Sequence, residues 1–95
     1  MVIRYTPTMD KENEYVADLI DHLLSLSSPS ALENSLRELL TPAEFTEVTK
    51  RLQIIRMLEA GVPQRQIAET LGVGIATVTR GSKILSARQD GEGES

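Results

Sequence analysis

Residues 63–85 contain two short helical patterns separated by a single glycine. Pro63 suits the first turn of a helix, and Gly72 can supply the positive φ angle that a tight turn needs. Ala68 lies four residues before Gly72, where a small side chain lets a second helix cross closely. Four apolar residues would set the angle between the helices: Ile67, Leu71, Val73 and Val78. The pattern predicts a helix-turn-helix.

The second half of this motif could also be a strand, since Val73–Thr79 is rich in β-branched residues. No second strand pattern exists in the chain for it to pair with. The sequence therefore predicts a helix from about Ile75 to Leu85, and the predicted fold class is all-α with about five helices.

Two further helices are predicted near the N-terminus. Apolar residues recur at helical spacing over 11–26, which predicts a broadly amphipathic helix. Ser30 followed by Glu33 forms a capping box, which predicts the start of a shorter helix.

A long helix is predicted to start at Thr41-Pro42, because threonine caps a helix and proline fits its first turn. Gly61 is expected to end it in a left-handed conformation. Its apolar stripe is predicted from Phe45, Val48, Leu52, Ile55 and Leu58.

The chain has 95 residues, no cysteine and one histidine. Disulfides and thiolate chemistry are therefore excluded, and neither a metal site nor a catalytic pair is predicted. We expect a flexible N-terminal arm over 1–10, a helical domain over 11–86 and a disordered acidic tail over 87–95. No secretory signal or membrane-spanning stretch is found, which predicts a cytoplasmic protein with no membrane partner. The short chain and the wide apolar face of the first helix predict a homodimer.

The net charge is −4, but the charged residues are distributed unevenly along the chain. Residues 1–49 carry three cations and nine acids, residues 50–86 carry six cations and two acids, and residues 87–95 carry one cation and three acids. A basic region on an acidic body is compatible with binding a polyanion, because only the facing surface must be positive.

The basic region includes the helix-turn-helix, so the sequence predicts DNA binding. The exposed face of the second helix carries small, methyl-bearing and hydroxyl side chains that can approach a major groove. Gln64 and Arg65 open the first helix, where they can contact phosphate. The predicted face consists of Gly74, Ile75, Ala76, Thr77, Thr79, Arg80 and Lys83. A helical protein-interaction module is the alternative, since bare helix-turn-helix patterns often give false positives.

The block from Leu40 to Ile84 resembles the tryptophan (Trp) repressor family. The resemblance is carried by the LTPAE start of the long helix, by Arg51 within that helix and by GIATVTRGS over 74–82. It implies an intertwined homodimer that represses tryptophan-related genes by binding double-stranded operator DNA, with L-tryptophan as the corepressor.

The resemblance also implies a ligand site between the long helix and the second helix of the motif. Arg51 and Arg80 would sandwich the indole ring, and Arg80 would also meet the carboxylate. The other implied site residues are Thr77, Gly81 and, contributed by the partner chain, Leu39, Leu40 and Thr41. The alternative is that Arg51 and Arg80 are surface cations, with Arg80 on DNA phosphate.

Three features depart from the family pattern. Ile84 stands where the family has a serine whose hydroxyl helps to bind the ligand's ammonium group. The link Gly61-Val62-Pro63 is one residue shorter, and the family's final helix has no predicted counterpart. A ligand-independent regulator of the same fold therefore stays open as an alternative.

Overall fold

The computed structural model describes the backbone of residues 11–93 and the side chains of residues 11–89. The predicted arm over 1–10 lies outside the described residues. Within the described range the chain is all-α and contains no strand, which confirms the predicted fold class. The five helices are α1 (Lys11–Ser25), α2 (Pro29–Leu39), α3 (Pro42–Glu59), α4 (Gln64–Leu71) and α5 (Ile75–Gly93).

The chain divides into two compact units, Met1–Pro42 and Ala43–Ser95, where the sequence predicted one helical domain over 11–86. The first unit contains α1 and α2, and α1 buries none of its residues. His22 Nε2 lies 2.5 Å from the hydroxyl of Ser35, the buried residue of α2. His22 is exposed as a residue, yet its ring has a specific partner on the neighbouring helix. Among the described residues of this unit, Ser35 is the buried one, and this polar contact links it to α1.

The start of α2 differs from the prediction. Ser28, rather than Ser30, is the N-cap residue, and its hydroxyl accepts a hydrogen bond from the Ala31 N–H at 3.1 Å. Pro29 then occupies the first turn, where its fixed φ angle fits and its missing N–H costs nothing. Glu33 forms an ion pair with Arg37 at 2.9 Å. The predicted Ser30–Glu33 capping box is therefore wrong.

The core of the second unit lies where α3, α4 and α5 meet. Ile54, Ile67 and Val78 are fully buried, at 0 to 2% exposure. Leu71, Val73 and Ala68 pack against this cluster, so the residues predicted to set the angle of the helix-turn-helix do lie at its centre.

The apolar stripe predicted for α3 is only partly correct. Val48 and Leu52 belong to that stripe but are 47% and 49% exposed, whereas Ile54 is buried. Apolar residues occur on more than one side of α3, so periodicity alone could not tell which side faces α4 and α5.

Two glycines end helices as predicted. Gly61 has a φ angle of 82° and Gly72 one of 66°. The Gly72 N–H donates to the Ala68 carbonyl, and the Val73 N–H donates to the same carbonyl at 3.1 Å, which closes the end of α4. Because an L side chain is strained at such φ angles, glycine suits both turns.

The last helix continues to Gly93, well beyond the predicted end at Leu85. The disordered tail predicted over 87–95 is therefore wrong for residues 87–93, while residues 94–95 lie outside the described range. Once a helix is formed, each added residue gains one backbone hydrogen bond. Arg88 also forms an ion pair with Glu59 of α3 at 2.7 Å, which ties the extension to the unit.

Candidate functional site

The N-terminal half of α5 presents the face that the sequence predicted. Six of the seven residues are exposed, and these are Gly74, Ile75, Ala76, Thr77, Arg80 and Lys83. The seventh, Thr79, is half-buried. A surface of small, hydroxyl and basic side chains is therefore available on one helix.

Thr79 differs because its hydroxyl is engaged within the unit. Its Oγ1 lies 3.0 Å from Gln64 Oε1 on α4 and 3.0 Å from the Ile75 carbonyl. A hydroxyl has one proton, so it donates to one of these oxygens at a time. Gln64 and Thr79, which were predicted as separate DNA contacts, thus form a link between the two helices of the motif.

The start of α4 has backbone N–H groups that no side chain caps. Pro63 is its N-cap residue, and no side chain caps the helix. Backbone N–H groups at a helix start attract phosphate, and Arg65 in the first turn is exposed. This geometry suits the phosphate contact predicted for Arg65, whereas the Gln64 side chain accepts a hydrogen bond from Thr79.

A cavity of about 340 Å³ lies between α3 and α5. Its size falls in the roughly 300–1,000 Å³ range of small-molecule sites. The wall consists of Arg51, Ile54, Ile55, Ala76, Thr77, Arg80, Gly81 and Ile84. A mostly apolar wall with two guanidinium groups suits a flat apolar compound that carries a carboxylate.

Gly81 determines how closely α5 approaches α3. A Cβ atom at this position would lie 2.7 Å from Ile54 Cγ2 and 3.5 Å from Leu58 Cδ1. Real Cβ atoms do not make contacts as short as 2.7 Å, so the two helices can touch at Gly81 because it has no side chain.

The two arginines of the wall have different surroundings. Arg51 Nη2 lies 2.6 Å from Glu47 Oε1, in an ion pair along α3. Arg80 has no ion-pair partner among the residues that the structure describes.

Four of the seven predicted ligand residues come together on this wall: Arg51, Thr77, Arg80 and Gly81. Leu39, Leu40 and Thr41, which were expected to act from a partner chain, belong to the other compact unit. There, Leu39 ends α2, and Leu40 is its C-cap residue with an extended backbone.

Sequence reasoning did not assign Ile54, Ile55 or Ala76 to the ligand site, and it noted Ile84 only as a departure from the family. A signal for them was present, because positions three and four residues apart share one face of a helix. Ile54 and Ile55 follow Arg51 at this spacing, and Ile84 follows Arg80 and Gly81.

Two other kinds of site receive no support within the described residues. No group of three or more histidine, cysteine or acidic side chains there could hold a metal ion. None of the described helices combines the length and the apolar character that a membrane span requires.

A helix-turn-helix with a small, basic and exposed second helix is typical of DNA-binding regulators. Comparison with known proteins identifies the family of regulators to which the chain belongs. The family model described as "Trp repressor protein" matches residues 14–94, which includes the extension of α5. The chain therefore belongs to the Trp repressor family, and it is a DNA-binding transcriptional regulator rather than an enzyme.

Curated relatives cover most of the chain. A Trp operon repressor homolog of Vibrio vulnificus strain YJ016 is 38% identical over 88 residues, which cover 86% of this chain and 83% of the relative. The Trp operon repressor homolog of Vibrio cholerae is 38% identical over 82 residues, which cover 85% of this chain and 77% of the relative. The Trp operon repressor homolog of Aliivibrio fischeri strain MJ11 is 44% identical over 55 residues, which cover 57% of this chain and 51% of the relative. No solved structure matches the chain significantly.

Proposed function

We propose that this protein is a sequence-specific repressor that binds operator DNA as a homodimer and uses L-tryptophan as corepressor to control tryptophan-related genes. One observation carries the proposal: the cavity and the exposed DNA-facing surface share the helix α5. Ala76, Thr77 and Arg80 belong to both. A ligand between α3 and α5 therefore contacts the helix that reads DNA.

Ligand control follows from this shared helix. A compound that fills the cavity fixes the distance between α3 and the N-terminal half of α5. If it binds better to the arrangement that fits DNA, it raises the population of that arrangement. L-tryptophan suits the cavity because guanidinium groups stack on aromatic rings and pair with carboxylates. In this proposal Arg51 and Arg80 flank the ring, and Arg80, with Thr77 nearby, binds the carboxylate.

The homodimer is supported by apolar surface that the chain leaves uncovered. In the first unit, Tyr15 is 70% exposed, and Leu19, Leu24, Leu32 and Leu39 are also exposed. A second copy is the partner proposed for these residues, and it would bring its own α2 end, Leu39–Thr41, to the ammonium group of the ligand. Two copies would place two α5 helices in successive major grooves, about 34 Å apart.

On DNA, the proposed base contacts come from the exposed face of α5. Arg65 and the start of α4 are proposed to bind phosphate, with Lys83 adding positive charge at the other end of the face. Phosphate contacts make binding fall steeply with salt, whereas base contacts set the sequence that is bound.

A second candidate is a repressor of the same fold that does not respond to tryptophan. Ile84 favours it, because an isoleucine on the cavity wall cannot accept a hydrogen bond from an ammonium group. The two candidates differ in ligand response and agree on DNA binding.

The test is a titration of the purified chain with L-tryptophan, with and without DNA selected from a random pool by binding to the protein. The proposal expects heat of binding and a tryptophan-dependent rise in DNA affinity. DNA binding without any heat from tryptophan would favour the second candidate. Absence of salt-sensitive DNA binding would contradict both, and a monomer in sedimentation at micromolar concentration would contradict the homodimer.

A further inference from the structure

Glu47 lies one helical turn before Arg51, and its carboxylate contacts the Arg51 guanidinium group. The distance between Glu47 Oε1 and Arg51 Nη2 is 2.6 Å, and the side chains are 56% and 54% exposed. A glutamate four residues before a cation is the favourable order for such a pair on a helix. Glu47 therefore holds Arg51 and compensates its charge at the edge of the cavity.

Arg80, across the cavity on α5, has no such partner among the described residues. The other six residues of the cavity wall are uncharged. The wall thus carries two guanidinium groups, one of which is already paired with a carboxylate of its own helix. A single positive charge is left for a ligand.

We propose that Glu47 determines the ligand charge that this cavity accepts. Arg80 binds one ligand carboxylate, whereas a second carboxylate would have to compete with Glu47 for Arg51. The cavity therefore favours flat apolar compounds with one carboxylate over the corresponding dicarboxylates. Glu47 acts through Arg51 and does not itself contact the ligand, so it is a positioning and specificity-determining residue. The inference rests on the proposed function, because it takes this cavity as the ligand site.

The expected effect is modest because both members of the pair are half exposed. Interaction energies of single exposed ion pairs correspond to changes of about two- to five-fold in an equilibrium constant. Salt weakens the interaction between exposed charges, so the effect is largest at low ionic strength.

The experiment compares two probes that differ by one carboxylate, indole-3-propionate and (indol-3-ylmethyl)malonate. Their dissociation constants are measured by calorimetry on the full chain, for the wild type and for Glu47→Gln. The variant keeps the size of the side chain and frees Arg51. We expect the affinity for the dicarboxylate relative to the monocarboxylate to be about two- to five-fold higher in Glu47→Gln than in the wild type. This difference should shrink in high salt.

Glu33→Gln is the matched control. It breaks an ion pair with Arg37 that has the same spacing, a distance of 2.9 Å and side chains that are 56% and 57% exposed. It also makes the same change in net charge. An unchanged ratio in Glu47→Gln, or an equal change in both variants, would overturn the proposal. So would an equal loss of affinity for both probes, which would indicate a merely structural role.

The proposed function is tested separately by tryptophan-dependent DNA binding of the wild type. If the wild type shows that response while Glu47→Gln leaves the ratio unchanged, only the role of Glu47 fails. If the wild type binds neither tryptophan nor either probe, the cavity is not the ligand site and both proposals fail.

Discussion

Gly81→Ala tests whether the contact between α3 and α5 depends on the missing side chain. The new Cβ atom would lie 2.7 Å from Ile54 Cγ2, 3.5 Å from Leu58 Cδ1 and 3.8 Å from Ile55 Cδ1. Ile54 cannot easily move away, because its branched side chain is stiff and fully buried. The helices would therefore have to separate, or the isoleucine would have to leave its preferred rotamer.

Two effects of opposite sign determine the stability of this variant. Overpacking of a close-packed core costs about 1–3 kcal/mol, whereas alanine is favoured over glycine inside a helix by about 1 kcal/mol. The net expected loss in the free energy of unfolding is about 1 kcal/mol. The overpacking contribution disappears if Ile54 Cγ2 is removed.

The decisive measurement is a double-mutant cycle of Gly81→Ala and Ile54→Ala. The free energy of unfolding of each variant is measured by urea denaturation monitored by circular dichroism. Ile54→Ala alone should cost about 2–5 kcal/mol. In that background Gly81→Ala should stabilise the fold by about 1 kcal/mol, the reverse of its effect in the wild type. Additive effects of the two substitutions, or a stabilising Gly81→Ala in the wild type, would refute the close approach of the helices.

Two further substitutions test the links that hold α5. Arg88→Ala should lower the free energy of unfolding by no more than about 1 kcal/mol, because its pair with Glu59 is half exposed. Exchanging the charges, with Glu59→Arg and Arg88→Glu together, should recover most of that loss in thermal melts at low salt, and no recovery would contradict the pairing. Thr79→Val should weaken binding to selected DNA by several-fold while Thr79→Ser keeps it, because only serine retains the hydroxyl that meets Gln64. Equal DNA affinity of the two variants would exclude a role for this hydrogen bond.

Local sequence signals were sufficient to predict the positions of most of the helices. Gly61 and Gly72 end α3 and α4 because their backbones adopt positive φ angles, which is a property of the residue type. The start of α2 was mispredicted by two residues, because Ser28-Pro29 and Ser30–Glu33 both resemble a helix start. Only the first places Pro29 in the first turn of the helix, where its fixed φ angle fits.

The candidate site was predictable to the extent that it resembles a family. Arg51, Thr77, Arg80 and Gly81 were implied by the resemblance to the Trp repressor family, and they do line one cavity. The apolar part of the wall was missed because Ile54 and Ile55 look like ordinary core positions in a sequence. Whether such a residue faces a core or a cavity depends on the neighbouring helix.

By itself, the sequence determined the all-α class, the order of the helices and the glycine turns, since these depend on residues within about one or two helical turns of each other. It also determined the basic region that contains the helix-turn-helix. Only the tertiary structure decided that Ile54 is the buried face of α3, that Gly81 brings α5 against it, and that Thr79 pairs with Gln64. It also decided that Arg88 reaches back to Glu59 and that the last helix continues where the composition predicted disorder. These contacts join residues 15 to 29 positions apart in the chain, and their formation depends on packing between helices, which no local pattern specifies.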